Sequence, residues 1–202
     1  IVRERYPWAE VVALPRNIGF AGGNNAGIAR AKGRMLCLLN NDTIVQRDGF
    51  ESCVRYLDAH PDVGAVGPLL LQPDGRKQNS IHNFPTLLLE IVPRGVLETL
   101  FPSRYPSKRF EHEQPLDVEA VLGACMVVRR EVIEQVGPMP EDYFFFLEET
   151  DWFFQMRRHG WRRHISPGVA CGASFQSDVI SVMPRPRFSP RSATMVTTYG
   201  VI

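Results

Sequence analysis

The sequence predicts an α/β fold with a mainly parallel sheet, and three observations carry that reading. Met35–Leu39 is an unbroken apolar run, the signature of a strand buried on both faces. Gly49–Ala59 follows with Phe50, Cys53, Val54 and Leu57 spaced for one buried helical face, and His60–Pro61 closes it. Val63–Leu71 is then a second apolar strand ending at the turn Pro73–Asp74–Gly75. Strand, helix and strand in alternation predict parallel pairing. At 202 residues with 44% hydrophobic content, the chain has material for one substantial core.

The other elements follow in order. Ala9–Leu14 reads as a first strand, Asn17–Gly23 as a glycine-rich turn, and Asn24–Lys32 as a short helix capped by asparagine and stopped by Gly33. Ile1 is not an initiator methionine and a strand-like segment begins almost at once, so the sequence is expected to lack a natural N-terminus. Residues 79–115 break the alternation with prolines and mixed charge. Their apolar block, Leu87 to Phe101 around Pro93, suits a lid, a membrane-surface patch or, the favoured reading, a loop-helix excursion packed on the body of the domain. Order returns over Val118–Arg130, where Gly123–Ala124 interrupts an apolar run through close approach of a ligand or close packing alone. From about Glu149 to Gly160 the spacing of Trp152, Phe153 and Met156 is helical. Residues 175–202 are proline-interrupted and basic, with a solvated tail preferred over a flap on the site or a contact with anionic lipid.

Composition narrows the function. A formal charge of +1 gives no case for nucleic acid. Cys37, Cys53, Cys125 and Cys171 form no paired metal or redox motif, and three of them sit in apolar runs as small hydrophobes of a reducing compartment. No apolar run approaches the ~20 residues of a membrane span, so a cytoplasmic location is the default.

Two places carry chemistry. Leu38–Leu39–Asn40–Asn41–Asp42 takes a buried strand to the carboxyl edge of the sheet, where open α/β folds bind ligands. One carboxylate among neutral amides there suits a divalent cation that draws its other ligands from water and phosphate. The second is the aromatic stretch Tyr143–Leu147 running into Glu148, Glu149 and Asp151. Acids at a helix start and Arg157, Arg158 and His159 at its end suit the helix dipole, which explains the charges but not their clustering after an aromatic wall.

Taken in order, Asn17–Ile–Gly–Phe–Ala–Gly–Gly–Asn–Asn25, Leu39–Asn–Asn–Asp42, Val118–Glu–Ala–Val–Leu–Gly–Ala–Cys–Met126 with Arg129–Arg130, Phe146–Leu–Glu–Glu–Thr–Asp151 and Arg158–His–Gly–Trp161 resemble the ordered motifs of family 2 glycosyltransferases, particularly the bacterial rhamnosyltransferase-like branch. The resemblance runs from about residue 11 to about residue 170. It implies a GT-A fold lacking its first strand-helix unit, with a catalytic domain over 1–174 and an extension over 175–202. It further implies a nucleoside-diphosphate-sugar donor, rhamnose being one candidate sugar, and a divalent cation, Mg2+ or Mn2+. The acceptor is a saccharide or lipid-linked, the anomeric carbon is inverted, and the setting is envelope polysaccharide synthesis at the inner face of the plasma membrane.

By the same resemblance Asp42 is the last acid of the motif that holds the metal on the diphosphate, with Asn40 in place of the first acid. Asn17, Gly19, Asn24 and Asn25 belong to the donor-side loop, joined by Asn40 and Asn41. Gly123, Ala124 and Trp152 fall on the sugar and acceptor side. Glu149 stands where the family usually has an aspartate base, with Glu148 and Asp151 as alternatives. The family's opening strand has no counterpart, and neither has a histidine that relatives carry near Val169–Ser174, for which His164 lies early. Gln155–Met–Arg–Arg158 is followed by His159 rather than by the tryptophan of processive members, which favours single-sugar transfer. A non-catalytic nucleotide-sugar or carbohydrate-binding module is the alternative from another class. A nucleotidyltransferase lacks support because no glycine- and lysine-rich triphosphate loop is present.

Overall fold

In the computed structural model, Met35–Asn40 forms β1, and its side chains split between two faces as a strand requires. Leu36 and Leu38 join one buried cluster, while Met35, Cys37 and Leu39 join the other. Both faces are covered, which is why no polar residue alternates with apolar ones along the strand. The structure describes residues 2–45, 48–72, 74–78, 80–102, 104–105, 114–143, 146–173 and 193–198.

The elements run α1 (Val2–Arg5), α2 (Gly19–Ile28), β1, β2 (Thr43–Val45), α3 (Gly49–Ala59), β3 (Val63–Leu71), β4 (Ile81–His82), α4 (Leu87–Ile91), α5 (Arg94–Leu100), β5 (Leu116–Asp117), β6 (Ala120–Val121), β7 (Cys125–Arg129), α6 (Arg130–Val136), α7 (Glu148–Arg158), β8 (Arg162–Ala173) and β9 (Ala193–Thr198). The main sheet has the order β2-β8-β3-β7-β1-β9, with β5 also on β8, and β4 pairs with β6 in a separate two-stranded sheet. Strands β1, β3, β8 and β9 run one way, and β7, β2 and β5 run against them. The sheet is thus mixed, with four of its seven strands running one way, and helices cover both faces. β1 and β3 are parallel as expected, but β7 lies between them and pairs antiparallel with each.

One face of the sheet packs Phe50, Cys53, Val54 and Leu57 of α3. The other packs α2, α6 and α7 through Ala21, Ile28, Val132, Trp152, Phe153 and Met156. The Arg129 guanidinium closes α3 from below by donating to the carbonyls of Leu57, of His60 (3.1 Å) and of Val63 (2.8 Å). The Leu57 and His60 carbonyls, which also accept the His60 and Val63 amides, thereby gain a second partner at the end of α3. Cys37, Cys53 and Cys125 are buried free thiols, as expected for small hydrophobes, and burial pushes the Cys37 thiol up to about 12. Cys171 lies in β8.

Three expectations change. Residues 10–14 are exposed and the segment from Ala9 makes no strand, while β9 takes the outer edge of β1. The first long helix covers Gly19–Ile28 rather than Asn24–Lys32. Four glycines in that sequence lower its intrinsic helicity by roughly 1 kcal/mol each, which is why it reads as a turn. Tertiary contact overrides the propensity: a Cβ on Gly27 would lie 2.5 Å from Val196 Cγ1, so only glycine lets the helix seat on β9. Finally, the expected tail supplies β9, in register with β1 from Met35↔Ala193 to Asn40↔Thr198. The Gly33 amide donates to Thr194 Oγ1 at 2.8 Å and secures the entry to that pair. The remainder of 175–202 lies outside the described residues.

Replacing Gly27 with valine is expected to destabilise the protein by about 1–3 kcal/mol through overpacking against Val196. Adding Val196→Ala should recover part of the loss, which thermal melts of the two single variants and the double variant would resolve.

Candidate functional site

The site forms where the carboxyl end of β1 meets the start of α7. Asn40, the last residue of β1, donates its amide to the Ala124 carbonyl at 2.9 Å, and Thr43 Oγ1 approaches the same oxygen at 3.4 Å. The amide of the neighbouring Gly123 hydrogen-bonds the Glu149 carboxylate. Two residues of backbone therefore span the end of β1 and the acidic helix start. A Cβ on Gly123 would meet Phe20 Cζ at 3.3 Å and Glu149 Oε1 at 3.5 Å, so helix α2 closes on the same point.

The chain reaches α7 through Phe146 (φ 68°) and Leu147 (φ 72°), both in the left-handed region. Such residues store about 1–3 kcal/mol each and cluster at functional sites. The turn they make places Glu148, Glu149 and Asp151 in the first turn of α7, where the helix N-terminus favours negative charge. The three acids differ in surroundings. Glu149 is half-buried, and its carboxyl is held above the usual range, first by burial and then by the charge of Glu148, against hydrogen bonds from its own amide and that of Gly123. Glu148 is only 2% exposed, and its Oε2 is buried without a hydrogen-bond partner. Asp151 accepts from Gln155 Nε2 at 3.2 Å and from the Tyr143 hydroxyl, whose own ionisation the Asp151 charge opposes. Only Glu149 combines a raised carboxyl with contact to the Gly123 backbone.

Asp42 and Asn41 are exposed in the turn between β1 and β2, with Asn40 partly exposed behind them. Among the described residues no group of three or more His, Cys, Asp or Glu side chains is placed to enclose a metal. A single exposed carboxylate with amides beside it fits a hard cation that arrives with phosphate ligands. The predicted donor loop divides. Asn17 Oδ1 accepts from the Gly19 amide at 2.9 Å and shapes the entry to α2 at Gly19, whose φ is 80°. Asn24 is buried and donates to the Phe20 carbonyl at 2.9 Å. Asn25 donates to the Met139 carbonyl and Glu141 Oε1, both at 2.8 Å, and accepts from the Met139 amide at 3.0 Å. The Asn24 bond lies within α2, whereas Asn25 ties the helix to the segment after α6.

Trp152 is placed in the core, fully buried, with its Nε1 donating to the Gly137 carbonyl at 3.0 Å. It supports α7 from behind the acids. Arg130 ties the chain after α2 by donating to the carbonyls of Gly33 and Ala31, both at 2.7 Å. His164 Nδ1 pairs with the Tyr56 hydroxyl at 2.5 Å, on the α3 side of the sheet. Sequence reasoning did not single out Phe20 or the left-handed pair before α7. Nothing in a local pattern marks a phenylalanine that will pack on a glycine about a hundred residues away, or two non-glycine residues forced into positive φ.

Comparison with known proteins bears on the family and the fold. The glycosyl transferase family 2 profile matches residues 2–137. The N-acetylglucosaminyl-diphospho-decaprenol L-rhamnosyltransferase of Mycobacterium tuberculosis is 27% identical over 176 residues, covering 78% of this chain and 56% of that protein. A low-salt glycan biosynthesis hexosyltransferase of Haloferax volcanii is 23% identical over 146 residues, covering 70% of this chain and 44% of its own length. The chain thus spans about half the length of these two relatives. Among solved structures, a mannosyltransferase from Pyrobaculum calidifontis in complex with GDP-Man and Mn2+ aligns with a TM-score of 0.56 at 20% identity, over 87% of this chain and 42% of that one. GalNAc-T7 with UDP, GalNAc and Mn2+ aligns at 0.58 and 15%, over 90% and 34%. These likenesses establish the GT-A fold, and with the profile match over most of its length the chain belongs to glycosyl transferase family 2.

Proposed function

We propose that this glycosyltransferase moves one sugar, with rhamnose the leading candidate, from a nucleoside-diphosphate-sugar to a lipid-linked saccharide acceptor in envelope polysaccharide assembly, inverting the anomeric carbon. The work takes place at the cytoplasmic face of the membrane. What supports the reading is the Gly123–Ala124 dipeptide, which touches Glu149 on one side and the Asn40 end of the Asp42 turn on the other. The rhamnosyl sugar and lipid-diphosphate acceptor come from the likeness to the mycobacterial rhamnosyltransferase.

In the proposed reaction an acceptor hydroxyl oxygen bonds to the anomeric carbon as the bond from that carbon to the diphosphate breaks. The hydroxyl proton passes to the Glu149 carboxylate, and the nucleoside diphosphate leaves with the electron pair. The raised carboxyl of Glu149 suits a base, since burial makes it readier to hold the proton it receives. Asp42, with Asn40 and Asn41 beside it, would hold a divalent cation whose charge offsets that of the diphosphate. Phe20 packed on Gly123 keeps the donor-side helix against the floor of the site.

A screen of nucleoside-diphosphate-sugars with Mg2+ or Mn2+, scored by free nucleoside diphosphate, tests the proposal. Turnover should vanish with chelator and fall by about 10²–10⁴-fold in Glu149→Gln. Asp42→Ala should lose about 10²-fold or more, with part of the loss recovered at high cation concentration. Donor binding without turnover would instead indicate the binding module, and release of pyrophosphate a nucleotidyltransferase.

The pH profile supplies a separate check. The base works deprotonated, so kcat/KM should fall as pH drops through the Glu149 ionisation, at a pH above the ~4.3 of an ordinary glutamate. Glu148→Gln removes a charge that raises this ionisation, and the acid limb should move to lower pH. A limb that stays in place in that variant would count against Glu149 as the base.

A further inference from the structure

Between the β4–β6 sheet and the end of α5 the chain builds two short helices whose apolar side chains face water. Leu87 is 81% exposed, Ile91 76% and Leu100 64%, and Leu88, Val96 and Phe101 are exposed as well. Leu97 is the one buried residue of α5, and α4 buries none. Scattered exposed leucines need no explanation, but a cluster of six marks a surface that meets something.

Its location and charge point to one occupant. Phe84, three residues ahead of α4, packs edge-on against Phe154 of α7 with ring centroids 5.3 Å apart, so the ledge begins beside the helix that carries Glu149. The Arg157 guanidinium lies 5.7 Å over the same Phe84 ring. Arg157 is exposed and lies 3.6 Å from Glu119, and exposed Arg104 donates its amide to the Phe101 carbonyl at 3.1 Å at the far end of the ledge, while Glu90 of α4 is an exposed acid. Glu98, an acid of α5, is paired with Arg94 at 2.7 Å. Apolar side chains with an arginine at either end match the boundary between anionic headgroups and acyl chains. A second copy of the chain is a poorer fit, because α4 and α5 offer twelve residues where a stable interface takes roughly 20–30 per side.

We propose that α4 and α5 dock the protein on the surface of an anionic lipid bilayer, with Leu87, Ile91, Leu100 and Phe101 entering the interface. In this arrangement the acceptor side of α7 faces the membrane plane, where the sugar of a lipid-linked acceptor sits. The proposal rests on the lipid-linked acceptor reading for its purpose, yet it fails or stands by its own measurement.

That measurement is co-sedimentation of the full chain with phosphatidylcholine vesicles, with and without phosphatidylglycerol. The protein is expected to bind the anionic vesicles more strongly than the neutral ones and to be released by salt. The double variant Ile91→Glu and Leu100→Glu, altered only at exposed positions, should bind at least about tenfold more weakly with an unchanged melting curve and unchanged donor hydrolysis. Asp42→Ala should bind vesicles like the unaltered protein, so a failure of the enzyme reading and a failure of docking are told apart. Equal sedimentation of the double variant, absence of binding, or a dimer in light scattering that the same two substitutions dissolve would each overturn the proposal.

Discussion

The backbone of Gly123–Ala124 serves two partners at once: its carbonyl accepts from Asn40 and its amide reaches Glu149. Nothing else described at the site joins the end of β1 to the start of α7 so directly. Backbone groups are suited to this duty because they cannot swing away as side chains can, and each must find a partner when buried. The missing side chain at Gly123 matters equally, since Phe20 and the Glu149 carboxylate crowd the space a Cβ would enter. Helix α2, the end of β1 and the acidic start of α7 thus share a floor two residues wide.

Unfavourable features concentrate around that floor. Phe146 and Leu147 are left-handed without being glycine, and Glu148 buries a carboxylate oxygen with no hydrogen-bond partner. The core beneath offsets these costs: Trp152, Phe153 and Met156 are fully buried on the inner face of α7, directly beyond the strained turn. A buried Trp→Ala or Phe→Ala change typically costs 3–5 kcal/mol, so that packing outweighs a left-handed pair costing about 1–3 kcal/mol per residue. The helix is anchored by its apolar side so that its acidic end can be held in an unfavourable setting.

How much of this was legible in the sequence depends on range. β1, α3, β3 and α7 were read to within a residue or so, because each carries its own period of apolar residues and its own stop. The Asp42 segment and the acids before Trp152 were readable as ordered motifs, but the Gly123–Ala124 backbone that joins the end of β1 to the start of α7 was not. What could not be read depends on partners far along the chain. Helix α2 forms in a glycine-rich segment because the sheet and Val196 are there to receive it, and residues 9–14 make no strand while β9 takes the outer edge of β1. Asn25 had the look of a ligand-facing amide, yet its groups meet Met139 and Glu141, residues more than a hundred positions away. A polar side chain in a glycine-rich loop carries no local mark that separates a structural tie from a ligand contact.

The two acids of the site occupy opposite electrostatic settings, and the proposed chemistry needs that difference. Asp42, the carboxylate proposed to meet the cation, is exposed in a turn after β1. Glu149 is half-buried beside another carboxylate, which raises its affinity for a proton at the place where one would be released. Exchanging the settings would defeat both roles: a buried Asp42 would resist ionisation before a cation arrived, and a fully solvated Glu149 would be a weaker base. A strand edge opening to water and a helix start packed over a tryptophan core produce the two environments by construction, and one dipeptide joins the strand end that precedes Asp42 to the helix start that carries Glu149.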